Sequence, residues 1–166
     1  MKSESLGTFC LCGRGWKDIY DDKNVRSGLR LKCDKGINCE VRRACKEFFK
    51  WLRTKYYFPI RVPVYLKCRS KITSIDGDTA FGTFFAPDDY LVEPYIRIAT
   101  GDYNELLKER GQDDALAAIL HTVSHELAHY FQWINRIQLT ETGYERQANY
   151  YATLLLDEYA ETRSHP

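Results

Sequence analysis

Between residues 38 and 57 the chain places Val41, Cys45, Phe48, Leu52 and Tyr56 at helical spacing, with Arg42, Arg43, Lys46, Lys50 and Arg53 filling the other side. Apolar residues recurring every three to four positions line one face of a helix, so this segment predicts an amphipathic helix. Pro59 and Pro63 stop it. Short β-prone runs follow at 62–67, 71–75, 79–86 and 95–100, separated by the turn sequences Asp76-Gly77-Asp78 and Pro87-Asp88-Asp89. Asp102 is placed to cap a short helix through about Glu109, with Gly111 closing it. A long helix comes next, opened by Asp113 and Asp114 and striped by Leu116, Leu120, Val123, Leu127, Phe131 and Ile134. The last helix runs from about Thr142 to Tyr159, with Ala148, Ala152, Leu155 and Tyr159 inward. A helix, a small sheet and then further helices make an α+β class.

At 166 residues and 44% hydrophobic, the chain suffices for one substantial core and is short for two, so a single domain over 1–166 is expected. Its 14% aromatic content argues against disorder, and no apolar run is long enough to cross a bilayer. Met1 to Cys12 lacks the basic flank, apolar stretch and small-residue cleavage site of a secretory signal, so a cytoplasmic protein with reduced thiols is expected. Cys10, Cys12, Cys33 and Cys39 lack the tight Cys-x2-Cys spacing that lets two thiolates share one zinc. Residues 1–37 therefore read as a loop-rich, cysteine-bearing arm, with a second metal there as the alternative. Cys45 reads as a core residue of its helix and Cys68 as the end of a strand.

The net charge of +1 hides a split: residues 1–71 hold 18 Lys and Arg against 7 Asp and Glu, and residues 72–166 hold 6 against 16. Such halves can attract each other within one fold, or the basic half can meet nucleic acid or an acidic partner.

His125-Glu126-Leu127-Ala128-His129 sets two imidazoles one helical turn apart on one face, within reach of a single cation. Glu126 is displaced around the helix by about 100 degrees, which keeps it out of the same ligand set. Its carboxylate can instead accept the proton of a water activated by the metal. Catalytic zinc takes three protein ligands and keeps one position open, so a third ligand is required. His121 is one turn further upstream, and a rise of about 12 Å between positions 121 and 129 prevents both imidazoles from meeting at one ion. His165 lies in a tail expected to be mobile. Glu145 is the leading candidate and Glu141 the reserve. If the last helix packs antiparallel to the first, Glu145 can face the metal while Asn149, one turn on, accepts a hydrogen bond from the outer nitrogen of a ligand histidine, His125 foremost.

His125 to His129, followed by Glu145-Arg146-Gln147-Ala148-Asn149-Tyr150-Tyr151-Ala152 and Leu154-Leu155-Leu156, resembles the gluzincin metallopeptidases. Within them the chain is most similar to the ImmA/IrrE type and to the small scaffolds called minigluzincins. The resemblance implies a zincin-like minimal scaffold of a supporting helix, a small twisted, mainly antiparallel sheet, an active-site helix and a glutamate helix. It also implies hydrolysis of peptide bonds in a protein substrate, in the ImmA/IrrE type often a transcriptional repressor. The chain departs from that type where the Leu run continues into Asp157-Glu158 rather than Met-Pro, and in its cysteine-bearing arm.

The expected activity is therefore that of a Zn2+-dependent endopeptidase with His125, His129 and Glu145 as metal ligands and Glu126 as base. Tyr144, Tyr151 and His121 are the candidate oxyanion donors. A strand before the zinc helix, at 79–86 or 95–100, can add an extended substrate as a further strand or merely fill the sheet. The rival class is a non-enzymatic protein in which zinc fixes the two C-terminal helices and the basic half binds nucleic acid or protein.

Overall fold

A strand that the sequence reading assigns to a loop begins the described chain. The computed structural model describes residues 25–166, and within the supposed arm it places β1 (Leu29–Cys33), with Leu29 buried. Asn38 then opens α1 (Cys39–Lys55), its side chain accepting the Glu40 N–H at 2.8 Å. The helix buries Val41, Cys45, Phe48 and Leu52, the expected stripe, together with Ala44, Phe49 and Trp51. It returns the chain to β2 (Val62–Lys67), which pairs with β1 in parallel from Leu29↔Val62 to Cys33↔Leu66.

A two-stranded hairpin, β3 (Ile72–Thr73) and β4 (Thr79–Ala80), precedes β5 (Gly82–Phe85) and β6 (Tyr95–Ala99). The expected run 79–86 thus breaks at Phe81 into strands of different sheets. β6 pairs with β2 in parallel and β5 with β6 antiparallel, giving the order β1-β2-β6-β5. The expectation of a mainly antiparallel sheet is corrected: the four-stranded sheet is mixed, with antiparallel pairing confined to the β5 edge. Parallel neighbours need a long crossover, which α1 supplies between β1 and β2 and residues 68–94 supply between β2 and β6.

Helices α2 (Tyr103–Arg110), α3 (Gln112–Ile134) and α4 (Glu141–Ala160) complete the α+β fold. Asp102 makes no side-chain cap on α2, while Gly111, at φ 82°, closes it as expected. The α3 stripe from Leu116 to Ile134 is buried against α1 and against the inner sheet residues Val62, Val64, Leu66, Ile96 and Ile98. β1 and most of β6 alternate these inward residues with more exposed ones, the period-2 pattern of a sheet covered on one side, while on β2 Pro63 is buried along with Val62 and Val64.

Two features aim α3 and α4 at each other. Arg136, with φ 51°, is the one non-glycine residue with positive φ among those described, and it ends α3 in a Schellman turn: Arg136 N–H to the Trp133 carbonyl at 3.1 Å and Ile137 N–H to that of Gln132 at 3.0 Å. Thr140 then caps α4, accepting the Gly143 N–H at 3.1 Å. The helix returns antiparallel to α3 and meets it through Ala148 and Ala152, whose small side chains let the backbones approach. Beyond α4, Arg163 pairs with Glu47 at 2.8 Å and His165 with Asp113 at 2.8 Å.

Candidate metal centre

His125 and His129 stand half-buried one turn apart on α3, with their Nε2 atoms 3.1 Å from each other. Glu145, exposed on the first turns of α4, brings Oε2 to 3.2 Å from His125 Nε2 and Oε1 to 3.1 Å from His129 Nε2. Among the described residues no other set of His, Cys, Asp and Glu gathers in this way. Glu141 starts α4 outside the group, and His165 sits beside Asp113, far up α3.

Hydrogen bonds on the far side of each ring set what these nitrogens offer. His125 Nδ1 lies 3.0 Å from Asn149 Oδ1, and His129 Nδ1 lies 2.8 Å from Gln132 Oε1. Gln132 is only 4% exposed, and its amide nitrogen donates to the Tyr144 carbonyl and to Gln147 Oε1, both at 3.0 Å. A backbone carbonyl can only accept, so the Gln132 amide oxygen must be the atom facing His129. With Gln132 Oε1 accepting from Nδ1, the His129 ring turns Nε2 toward the group, and the contact of Nδ1 with Asn149 Oδ1 orients His125 in the same way. Two imidazole Nε2 atoms and a carboxylate thus converge. A divalent cation reconciles them: tetrahedral bonds of about 2.0–2.1 Å separate ligand atoms by about 3.3 Å, close to the spacing here. The site could hold such an ion. Gln132 was not anticipated from sequence, although its place three residues after His129 on a helix is the signal that could have found it.

Glu126 lies beside this group without joining it. It is 6% exposed, and burial, with the neighbouring charge of Glu145, pushes its carboxyl up to about 8. A cation near it would act in the opposite sense. Its wall is Gly82 of β5: a Cβ there would fall 2.8 Å from Glu126 Cγ and Oε1 and 2.9 Å from Thr122 Cγ2. Only a residue without a side chain lets the strand approach so closely.

The imidazoles, Glu126 and Glu145 line an open cleft of about 930 Å3 whose other walls include Gly82, Thr83 and Phe84 of β5 and Tyr90, Trp133 and Arg136. Of the expected oxyanion donors, Tyr144 lines this cleft, its hydroxyl donating to the Ile137 carbonyl at 2.7 Å. His121 lies by Thr153 instead, at 3.5 Å, and Tyr151 packs on the core beside Tyr150. The described cysteines stand apart. Cys45 is buried, which pushes its thiol up to about 12, while Cys39 and Cys68 are exposed; Cys10 and Cys12 lie outside the described residues.

Fold and site together define an α+β protein with a His-His-Glu group able to hold a metal ion at the base of a cleft. Comparison with protein-family models, curated proteins and solved structures finds no match. No helix among the described residues is long and apolar enough to cross a membrane.

Proposed function

We propose that the chain is a zinc-dependent endopeptidase of gluzincin type. The observation that carries this reading is the buried carboxylate of Glu126, held beside the convergent donors of His125, His129 and Glu145 in the cleft yet outside their group. A purely structural metal site has no use for such an acid, and is more often closed by four protein ligands. Two imidazoles and one carboxylate with a position left open suit zinc.

Bound there, zinc supplies Lewis acidity, polarising a peptide carbonyl and lowering the pKa of water. The chain's own groups do the rest. Glu126 accepts a proton from the attacking water and delivers it to the leaving nitrogen. Asn149 and Gln132 hold the two imidazoles in the orientation that presents Nε2. Strand β5 lines the cleft with its outer edge unpaired among the described residues, so an extended substrate can add to it as a further strand. Between the two strands considered from sequence, β6 is excluded because β2 and β5 already occupy both its edges.

The test pairs metal analysis with cleavage. About one zinc per chain, lost in His125→Ala and His129→Ala, is expected, together with chelator-sensitive appearance of new termini in a peptide library read by mass spectrometry. Full zinc occupancy in both histidine variants, or cleavage that persists unchanged in Glu126→Gln, would sink the reading.

A further inference from the structure

The helices pack on one side of the four-stranded sheet; its other side is a basic, aromatic surface for which the metal centre has no use. Outward positions alternate along each strand: Arg30 and Lys32 on β1, Tyr65 and Lys67 on β2, Tyr95 and Arg97 on β6, Thr83 and Phe85 on β5. All are partly or fully exposed. Register brings them into rows, Lys32 beside Tyr65 beside Arg97, and Tyr95 beside Phe85. The Tyr95 and Phe85 rings stack at 5.0 Å, and Tyr65 meets Tyr95 edge-on at 6.4 Å. Cations sit against these rings: Lys32 and Lys67 at 5.4 and 5.5 Å from the Tyr65 centroid, and Arg97 at 5.9 Å from that of Tyr95. Phe81, exposed and just before β5, carries Lys71 at 3.4 Å.

Two carboxylates, Asp34 and Glu93, meet cations on this face. Asp34 pairs with Lys67 at 3.1 Å, and Arg97 is held by neutral oxygens, Thr83 Oγ1 at 3.3 Å and the Thr73 carbonyl at 3.1 Å. Arg61, just before β2, pairs with Glu93, just before β6, while among the described residues no carboxylate pairs with Arg30, Lys32 or Arg97.

We propose that this face binds single-stranded nucleic acid. Aromatic rings interleaved with cations on an open sheet match a ligand that alternates π-faces with phosphates, and neither a lipid surface nor an acidic peptide supplies both. A duplex hides its base faces within its own stack, so the rings select single strands. The ammonium groups now resting on Tyr65 belong to flexible side chains. A base that takes the ring's face leaves them to pair with phosphates on either side, exchanging a weak exposed cation–π contact for stronger stacking plus charge neutralisation.

The test uses the full chain and fluorescent 12-mers of oligo-dT and oligo-U, with a 12-base-pair duplex as control, titrated at low and physiological salt. Single strands should bind more tightly than duplex, with log K falling against log salt with a slope of about −2 to −4 for the cations named. Tyr65→Ala should weaken binding roughly 5- to 100-fold while Tyr65→Phe retains it, which separates stacking from loss of fold. The exposed changes Arg30→Gln and Lys32→Gln should each reduce the slope by about 0.7. Binding should persist in chelator and in Glu126→Gln, so its failure is distinguishable from failure of the peptidase reading. A preference of oligo-dT over oligo-U or the reverse tells DNA from RNA within the proposal. Equal affinity for duplex with Tyr65→Ala unaffected, or equal competition by polyglutamate, overturns it. So does an absence of binding at low salt; lysine cross-links from Lys32 or Lys67 into residues 1–24 would then assign the face to the chain's own N-terminal segment.

Discussion

Each imidazole of the candidate centre is held by one amide, and the two amides are not equivalent. Asn149 is exposed, so its loss is made good in part by water, whereas Gln132 is buried and bridges His129, Gln147 and the Tyr144 carbonyl. Asn149→Ala should weaken zinc affinity roughly 10- to 100-fold with little change in stability. Gln132→Ala should weaken it comparably and also destabilise the fold by about 1–3 kcal/mol, because it strands buried polar groups. Competition titration with a chromophoric chelator and urea unfolding separate the two. Equal stability of the variants would show that water replaces the buried amide. Glu126→Gln is the complementary case: it should keep zinc and melting temperature while hydrolysis falls by about 10²- to 10⁴-fold, measured on whichever peptide the wild-type chain cleaves. At this scale much was legible. A helix fixes which residues share a face, so spacing pairs His125 with His129 and Glu145 with Asn149, while bringing the two pairs together required assuming that the last helix returns antiparallel. Gln132 escaped because it stands next to Phe131 and Trp133 in an apolar stretch, where burial of its amide depends on α4 lying across it.

Among the elements, the contact between β5 and α3 is the tightest constraint on the site. Gly82→Ala would press a methyl into Glu126 Cγ and Oε1 and Thr122 Cγ2, so either the edge strand moves out or the Glu126 side chain turns. Overpacking of this kind costs about 1–3 kcal/mol. Chemical denaturation should therefore show a lowered midpoint, and cleavage should fall although no donor atom has been removed; an unchanged midpoint and rate would mean that the close approach is dispensable. The helices were readable because each is longer than the period that marks it. Strand β1 was not: its alternation of Leu29, Leu31 and Cys33 with Arg30 and Lys32 spans five residues, within a cysteine-bearing stretch that reads equally as loop. Strand direction was not local information at all. Whether β6 lies parallel to β2 depends on how residues 68–94 cross over, and no alternation of side chains encodes that. The antiparallel pair, β5 and β6, is joined by the nine residues 86–94, a connection with no helix to carry a parallel crossover.

At the scale of the whole molecule, the candidate centre joins α3 to α4, whose fully buried residues are Ala148, Ala152, Leu155 and Tyr159, two of them alanines, with Tyr151 and Leu156 packed half-buried beside them. Apolar burial alone therefore holds this helix less firmly than α1, which buries Phe48, Phe49, Trp51 and Leu52. A cation bound by His125 and His129 from one helix and Glu145 from the other favours the folded state by mass action, because the unfolded chain does not preassemble those donors. At zinc about a thousandfold above its dissociation constant this amounts to about 4 kcal/mol. For a chain of this length each kcal/mol moves the midpoint by about 2–4 °C, so adding zinc to chelated protein should raise the melting temperature by about 8–16 °C. The shift should vanish in His125→Ala and His129→Ala, shrink in Glu145→Ala, and remain whole in Glu126→Gln, whose carboxylate stands outside the group. Calorimetric scans of the four variants with chelator and with zinc test this without any substrate. A full shift in Glu145→Ala would place the third donor elsewhere; loss of the shift in Glu126→Gln would make that residue a ligand and remove it from the role of base.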